Sequence, residues 1–190
     1  MSEVGHNKGP SMAPGGGFRR LAWSKARKTL LPTLPLEIVR IRVARAKRLG
    51  LDYKTYATIR ATTGRDIVAF LFSGNALELT PRRVELPNLV AMRLTETQDC
   101  VRMAAVYLPL IGEAVDRANP EMFHQITEAP AFTLNWPQMR DQIVGAIRAQ
   151  KLPADSVVLV AATSAERDWC AAAKLAGMLS ADDFFRRSHV

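Results

Sequence analysis

Two short polar segments follow the two most strand-like apolar runs of the sequence, which span residues 66–72 and 156–162. If both runs are strands of one parallel sheet, the segments lie on the same edge, where α/β proteins bind ligands. Thr163 and Glu166 form a T-x-x-E capping box that opens a helix, and this helix N-terminus would offer free amides and a dipole to an anion. No GxGxxG or GxxxxGK[ST] motif accompanies them, so no nucleotide is specified. The candidate residues of this anion or ligand site are Ser73, Gly74, Asn75, Thr163 and Ser164.

Residues suited to acid–base, nucleophilic or metal chemistry are few and scattered along the chain. His6 and His189 lie near the termini, and His124 is the only internal histidine. Cys100 and Cys170 are far apart and form no CxxC pair, which argues against a zinc ribbon or a redox motif. The sequence therefore predicts no catalytic residue, no metal site and no cofactor, and it favours a protein that is not an enzyme.

Positive charge is concentrated in the first third of the chain. Residues 18–66 contain 13 lysines and arginines against 3 acids, whereas the rest of the chain has 13 against 15. A concentrated basic region is typical of proteins that bind a polyanion, usually nucleic acid. Residues 19–28 form a second basic cluster that would act as an arm along a phosphate backbone, or would simply be a solvated helix. Duplex DNA is the expected partner.

Residues 37–79 combine a basic helix, a glycine turn, a short second helix with Asp52 at its N-cap position, and an apolar third segment. Small or apolar side chains fall at the packing positions of the first three parts: Ala44, Ala46, Gly50, Leu51, Tyr56 and Ile59. In this order the sequence resembles helix-turn-helix DNA-binding domains. The third segment, residues 66–79, occupies the place of the packing helix that follows the second helix in such domains. Residues 66–72 suit a buried strand and a short buried helix equally well.

The resemblance implies a mode of binding in which the second helix enters the major groove. Its outward residues would then contact base edges, and arginines beside it would clamp phosphates without reading sequence. The residues assigned to contact bases are Tyr53, Lys54, Thr55 and Thr58, and those assigned to phosphates are Arg40, Arg45, Arg48 and Arg65.

Composition and periodicity predict the fold class. Apolar residues make up 48% of the 190 residues, enough for a core, and the longest apolar run falls short of the ~20 residues that a spanning helix needs. With no secretory signal at the N-terminus, we expect a soluble, cytoplasmic protein without a transmembrane segment. Helical periods dominate, including one over residues 89–118, so we predict a mostly helical α+β protein whose C-terminal half has helices around one or two short strands. The expected parts are a flexible tail (1–17), a basic helical subdomain (18–80) and an α/β-like subdomain (88–190).

The function predicted from these features is nucleic-acid binding, in a regulatory role, through an arginine-rich helical face. A small α/β enzyme or nucleotide-binding module that uses the loops after residues 72 and 162 is the first alternative. An adaptor that docks an acidic protein partner on its basic face is the second. If the protein binds nucleic acid, the C-terminal half would serve homodimerisation, ligand sensing or partner contact.

Overall fold

The computed structural model describes residues 34–186. The predicted tail and the basic cluster at 19–28 therefore lie outside the described residues. The chain divides into two compact units, Met1–Val39 and Arg40–Val190. The described part of the first unit is residues 34–39, whereas the sheet and the later helices belong to the second unit. Within residues 34–186, no helix has both the length and the apolar composition required to cross a bilayer.

Helices and strands alternate along the described chain. The strands are β1 (Ala69–Ser73), β2 (Val101–Val106), β3 (Gln125–Glu128), β4 (Val157–Ala161) and β5 (Gly177–Ser180). The α-helices are α1 (Leu36–Arg48), α2 (Tyr53–Thr63), α3 (Asn88–Glu96), α4 (Gly112–Ala118), α5 (Trp136–Ala149) and α6 (Ser164–Ala173). A 3-10 turn at Ala154–Ser156 precedes β4, and a π-helical turn at Asp182–Arg186 follows β5.

The five strands form one parallel sheet in the order β3-β2-β1-β4-β5, a Rossmann-like arrangement. Ala69 at the start of β1 pairs with Val101 of β2 on one side and with Val157 of β4 on the other. The predicted fold class, mostly helical with one or two short strands, is therefore wrong. The sheet also joins residues from both of the predicted subdomains.

The missed strands explain this error. β2, β3 and β5 are four to six residues long, and their sequences contain methionine, alanine, glutamine and glycine rather than continuous β-branched residues. Strands of a parallel sheet are covered on both faces, which removes the alternating pattern that identifies an exposed strand. β4 has the expected β-branched sequence, and the prediction of a strand there is confirmed.

Side chains alternate between two apolar layers, one on each face of the sheet. On one face, Phe70 and Phe72 contact Phe184, with ring centroids 5.1 and 5.3 Å apart. On the other face, Leu71 is buried in a cluster that includes Ile147 and Trp169. The sheet is thus covered on both sides, and its two ends are where polar groups can reach solvent.

The open question about residues 66–72 is settled, because β1 is the central strand of the sheet. α1, the turn at Gly50 and α2 are present as predicted, with Gly50 at a φ of 69° and Asp52 capping α2 through the amide of Thr55. The packing helix expected within 66–79 is absent, since this segment forms β1 and the turns after it. What resembles a helix-turn-helix is therefore limited to α1, the turn and α2.

Candidate ligand site at the carboxyl edge of the sheet

The strand order places a topological switch point between β1 and β4. From β1 the chain continues to β2 and β3 on one side, and it then crosses to β4 and β5 on the other. At such a point the loops after the two central strands leave in opposite directions, which opens a crevice at the carboxyl ends of the strands. The two predicted ligand loops are the loops after β1 and β4, so the structure brings them together. The side-chain amide of Asn75 joins them by donating to Oε1 of Glu166 at 2.9 Å.

The loop after β1 crosses close to β2. The Ser73 side chain is fully buried, and its Oγ accepts a hydrogen bond from the amide of Ala76. The Gly74 amide donates to the carbonyl of Ala105 at 2.7 Å. A Cβ at position 74 would stand 3.4 Å from that carbonyl oxygen and from Cα of Val106, so the glycine permits the close approach. This packing fixes the direction in which Asn75 leaves the strand.

Glu166 connects three loops at this edge. Its side chain is inaccessible to solvent. Oε1 accepts from Asn75 and from the hydroxyl of Tyr107, at 2.9 and 3.2 Å. Oε2 accepts from the backbone amides of Ala162 and Thr163, at 2.9 and 3.0 Å. A buried carboxylate with four donors is satisfied, and it holds the carboxyl ends of β1, β2 and β4 in fixed relative positions.

The Thr163–Glu166 capping box predicted from the sequence is confirmed, with the Glu166 amide donating to Oγ1 of Thr163. This box has a consequence for the predicted anion site. The amides of Ala162 and Thr163, which directly precede the helix, already donate to the internal carboxylate, so these two amides are not available to an external anion. Thr163 and Ser164 both remain exposed at the surface of the edge.

Tyr107 belongs to the site but was not predicted from the sequence. It directly follows β2, within a segment whose period indicated a helix. Burial raises the pKa of its phenol, and the charge of Glu166 together with their hydrogen bond raises that pKa further. Tyr107 is therefore a neutral donor at physiological pH. One sequence signal could have located Tyr107. Residues 103–106 form a short apolar run like that of β4, and Tyr107 is the first residue after this run.

A cleft of about 270 Å³ opens beside Asn75, between the carboxyl ends of β1, β4 and β5. Its polar lining comes from one amide, one hydroxyl and two carboxylates: Asn75, Ser180, Glu78 and Asp182. The apolar lining includes Ala76, Ala162 and Phe185. The contribution of β5 and the turn after it was missed because the sequence did not show that strand.

Three of the four arginines predicted to clamp phosphates, at positions 45, 48 and 65, lie at the opposite edge of the sheet. Arg45 donates to the carbonyls of Ile67 and Asp99, at 2.8 and 3.1 Å, and forms an ion pair with Asp66 at 3.2 Å. Arg48 pairs with the carboxylate of Asp99 at 2.7 Å. These partners precede β1 and β2, so the guanidinium groups connect α1 to the amino ends of the strands.

The same edge contains further ion pairs. Arg65 pairs with Asp155 at 2.7 Å, and Arg60 with Asp66 at 3.3 Å. Although burial alone would raise the pKa of Asp66, the Tyr56 hydroxyl and the Arg45 guanidinium hold that pKa below its usual value. Burial and the bond to Asp66 raise the pKa of the Tyr56 phenol.

The residues predicted to contact bases lie along α2. Lys54 and Thr58 are exposed, and the Thr58 hydroxyl donates to the Lys54 carbonyl. Thr55 is bonded through its hydroxyl to Asp52, and Tyr53 packs partly against the core. Arg40 lies on α1 and has an interaction partner of its own. The structure thus leaves Lys54 and Thr58 as the outward-facing members of this set.

Metal and thiol chemistry receive little support from the described part of the chain. Residues 34–186 contain no group of three histidine, cysteine or acidic side chains arranged to hold a metal ion. Burial raises the pKa of the Cys100 thiol to about 11, so this thiol is protonated at physiological pH. Burial also raises the pKa of the Cys170 thiol.

Comparison with known proteins gives no relative on which to base a function. The chain matches no model of a known protein family, and no curated protein sequence is significantly similar to it. Its function must therefore be inferred from the geometry of the site.

Proposed function

We propose that the chain is a small-molecule-binding α/β module whose site is the cleft at the carboxyl ends of β1, β4 and β5. The observation that supports this most directly is the position of the cleft, which opens at the switch point of a parallel sheet. Ligand sites of open α/β sheets form at this place because the diverging loops leave a concave surface there.

The construction of the edge also supports binding. Glu166 fixes the loops after β1, β2 and β4 through four hydrogen bonds, so Asn75 is held in place before any ligand arrives. A preorganised site loses less conformational entropy on binding than a mobile one. Glu166 is thus a positioning residue, and the groups that would contact a ligand are those that line the cleft.

The proposal is tested by filling the cleft without breaking a hydrogen bond. Ala162→Leu adds three carbons to the lining while its backbone amide still donates to Glu166. Ala149→Leu, at the exposed end of α5, is the matched control. Amide NMR shifts of the wild type are recorded with adenosine, AMP, putrescine, citrate and glucose as probes.

At least one probe should shift the amides of residues 74–78, 161–163 and 180–182 in the wild type and in Ala149→Leu. The same probe should leave those amides unchanged in Ala162→Leu, provided that its amide spectrum is otherwise native. Probe-induced shifts that persist in Ala162→Leu, or that appear only elsewhere, would contradict the proposal. So would the absence of any shift with all five probes.

Nucleic-acid binding is a second candidate, favoured by where the charge lies. Residues 34–186 contain 19 lysines and arginines against 17 acids, whereas residues 1–33 contain 6 against 1. Residues 34–66 contain 8 lysines and arginines against 3 acids, so half of the excess positive charge of the first third of the chain lies before residue 34. We propose that any phosphate contacts are made mainly by the basic cluster at 19–28, because the arginines at 45, 48 and 65 already pair with carboxylates.

Duplex DNA binding measured across ~50 to 200 mM salt tests this candidate, since each neutralised phosphate steepens the salt dependence. One variant replaces the five basic residues Arg19, Arg20, Lys25, Arg27 and Lys28 with serine. A second replaces Arg48 and Arg65 with alanine. Binding should be lost in the first variant and largely retained in the second. No binding by the wild type at the lowest salt, or an equal loss in both variants, would rule the candidate out.

A further inference from the structure

Two neighbouring segments at the carboxyl edge of the sheet expose large apolar side chains that do not line the cleft. The first segment follows β2 (residues 107–112), and the second follows β3 and enters α5 (residues 129–139). Exposed apolar surface of this kind marks interaction sites, because its burial against a partner is favourable in free energy. The four side chains, called the apolar patch below, and their exposed fractions are Leu108 (68%), Ile111 (62%), Phe132 (73%) and Trp136 (50%).

The two segments adjoin each other at the ends of β2 and β3. These strands pair as far as Val106 and Glu128, and the amide of Ala129 then donates to the carbonyl of Val106 at 2.7 Å. Just beyond that bond, the Phe132 ring stacks on Tyr107, with centroids 5.2 Å apart and planes inclined by 11°. The Tyr107 hydroxyl is itself bonded to the buried carboxylate of this edge. Phe132 is therefore held in place before any partner arrives.

Neither segment contains a charged residue. Residues 107–112 (YLPLIG) and 129–139 (APAFTLNWPQM) have no Asp, Glu, Lys, Arg or His, although 23% of the whole chain is charged. The centres of protein–protein interfaces are depleted of charged residues and enriched in aromatic residues and methionine. Both properties are found here, so the composition of the two segments favours a protein partner.

The residues that border the apolar patch in sequence do not suit a lipid surface. Patches that bind anionic membranes are accompanied by lysines and arginines that attract the headgroups. Here Glu113 follows the first segment and Glu128 precedes the second. Arg140 follows the second segment, but it pairs with Asp141 at 2.8 Å. These borders supply no excess of positive charge, and a protein is again the favoured partner.

A second copy of the chain is the partner that a charge-free patch suits. In a contact with twofold symmetry, side chains near the axis face their own copies, so any charge there meets a like charge. The apolar patch avoids that repulsion. Its area is also sufficient, since the four exposed fractions correspond to about 400 Å² of apolar surface. One side of a standard interface buries about 800 Å², of which rather more than half is apolar.

We infer that the chain forms a symmetric homodimer in which the apolar patch of one copy packs against the same patch of the other. Phe132 is the most exposed large apolar side chain among the described residues and is supported by Tyr107, so it makes the largest contribution to the contact. The inference does not rest on the proposed function, because the patch follows β2 and β3 whereas the cleft lies beside β1, β4 and β5.

Sedimentation velocity of the full chain from about 5 to 500 µM tests the inference, because an interface of this size is expected to have micromolar affinity. Phe132→Glu brings two carboxylates into the contact and should weaken dimerisation at least about 30-fold. Ile111→Ser, a change that suits the N-cap position of α4, should weaken it at least about 5-fold. The matched control is Ile41→Glu on α1, where the side chain is 68% exposed and lies between Arg40 and Arg42. Its dimerisation should stay within about 2-fold of the wild type.

Amide NMR spectra of the wild type over the same concentrations locate the interface without any substitution. The amides of residues 107–112 and 129–139 should shift as the dimer forms. A wild type that stays monomeric at 500 µM would overturn the inference, and its co-sedimentation with phosphatidylserine vesicles would then assign the patch to a lipid surface. Concentration-dependent shifts confined to other residues would overturn it too, as would a loss of dimer in Ile41→Glu equal to that in Phe132→Glu.

Discussion

The two edges of the sheet use polar residues in opposite ways. At the amino edge, arginines of α1 and of the residues before β1 are matched by aspartates that precede β1, β2 and β4, and Arg45 also binds two carbonyls. At the carboxyl edge, one buried carboxylate is satisfied by neutral donors, and an amide, a hydroxyl and two further carboxylates line a cleft. Ion pairs between arginines and aspartates therefore hold the amino edge together, and the carboxyl edge, where one buried carboxylate fixes the loops, is the edge that we propose as a ligand site.

Removal of the buried carboxylate at the carboxyl edge should have the largest effect on stability. Glu166→Ala leaves four donors without an acceptor, and we expect it to lower the free energy of unfolding by about 3–5 kcal/mol. Urea unfolding measures the loss. Asp168→Ala, an exposed acid on the same helix, should cost less than about 0.5 kcal/mol. Similar losses in the two variants would show that Glu166 does not organise this edge.

Arg45→Ala is the corresponding test of the amino edge. It removes the ion pair with Asp66 and leaves the carbonyls of Ile67 and Asp99 without this donor, so we expect a loss of about 2 kcal/mol in the free energy of unfolding. Lys47→Ala, at an exposed position of the same helix, should be nearly neutral. An unchanged stability of Arg45→Ala, combined with weaker DNA binding, would instead assign this arginine to a phosphate.

The charge of Asp66 predicts a pH dependence of stability at the amino edge. Because the pKa of Asp66 is lower in the folded chain than in the unfolded one, its carboxylate stabilises the fold above the unfolded pKa of about 4. That stabilisation is lost as the pH falls through the folded pKa. The difference in unfolding free energy between the wild type and Asp66→Asn, about 1 kcal/mol at pH 7 given the half-exposed side chain, should therefore shrink below about pH 4. A difference that stays constant from pH 7 to pH 3.5 would contradict it.

The smallest effect is expected for the outer ion pair of the amino edge, Arg65 with Asp155. Both side chains are about half exposed, so solvent screens their attraction. A double-mutant cycle with alanine at both positions should give a coupling of about 0.5 kcal/mol that falls further in 1 M NaCl. A coupling above about 2 kcal/mol would contradict this expectation, because the pair would then contribute as much to the free energy of unfolding as we expect of Arg45.

Local signals in the sequence predicted the features that depend on a few neighbouring residues. The Asp52 cap, the turn at Gly50 and the Thr163–Glu166 capping box were all visible, because each rests on residues within one helical turn. β4 was visible because its five residues are continuously apolar and mostly β-branched. The two candidate loops were found from local sequence too, because each is a polar segment that directly follows an apolar run.

The rest of the site depended on pairing between distant parts of the chain. Tyr107 and Phe132 stack although 24 residues separate them in sequence, and nothing local to either residue indicates the other. The four residues of β5 have little preference for a strand of their own. They form one because they pair with β4. The basic helix α1 looked like a nucleic-acid surface because the aspartates that match its arginines lie 21 to 51 residues away.

The sequence by itself determined the positions of helix caps and turns, the most apolar strand and the uneven distribution of charge, since these follow from residue type and short-range hydrogen bonding. Tertiary structure alone decided that residues 69–73 form the centre of a parallel sheet and that Arg45 and Arg48 are paired. It also decided that Asn75, Tyr107 and Glu166 meet at one edge. Strand pairing and ion pairing join residues far apart in the chain, and their free energy is realised only when the core brings those residues together.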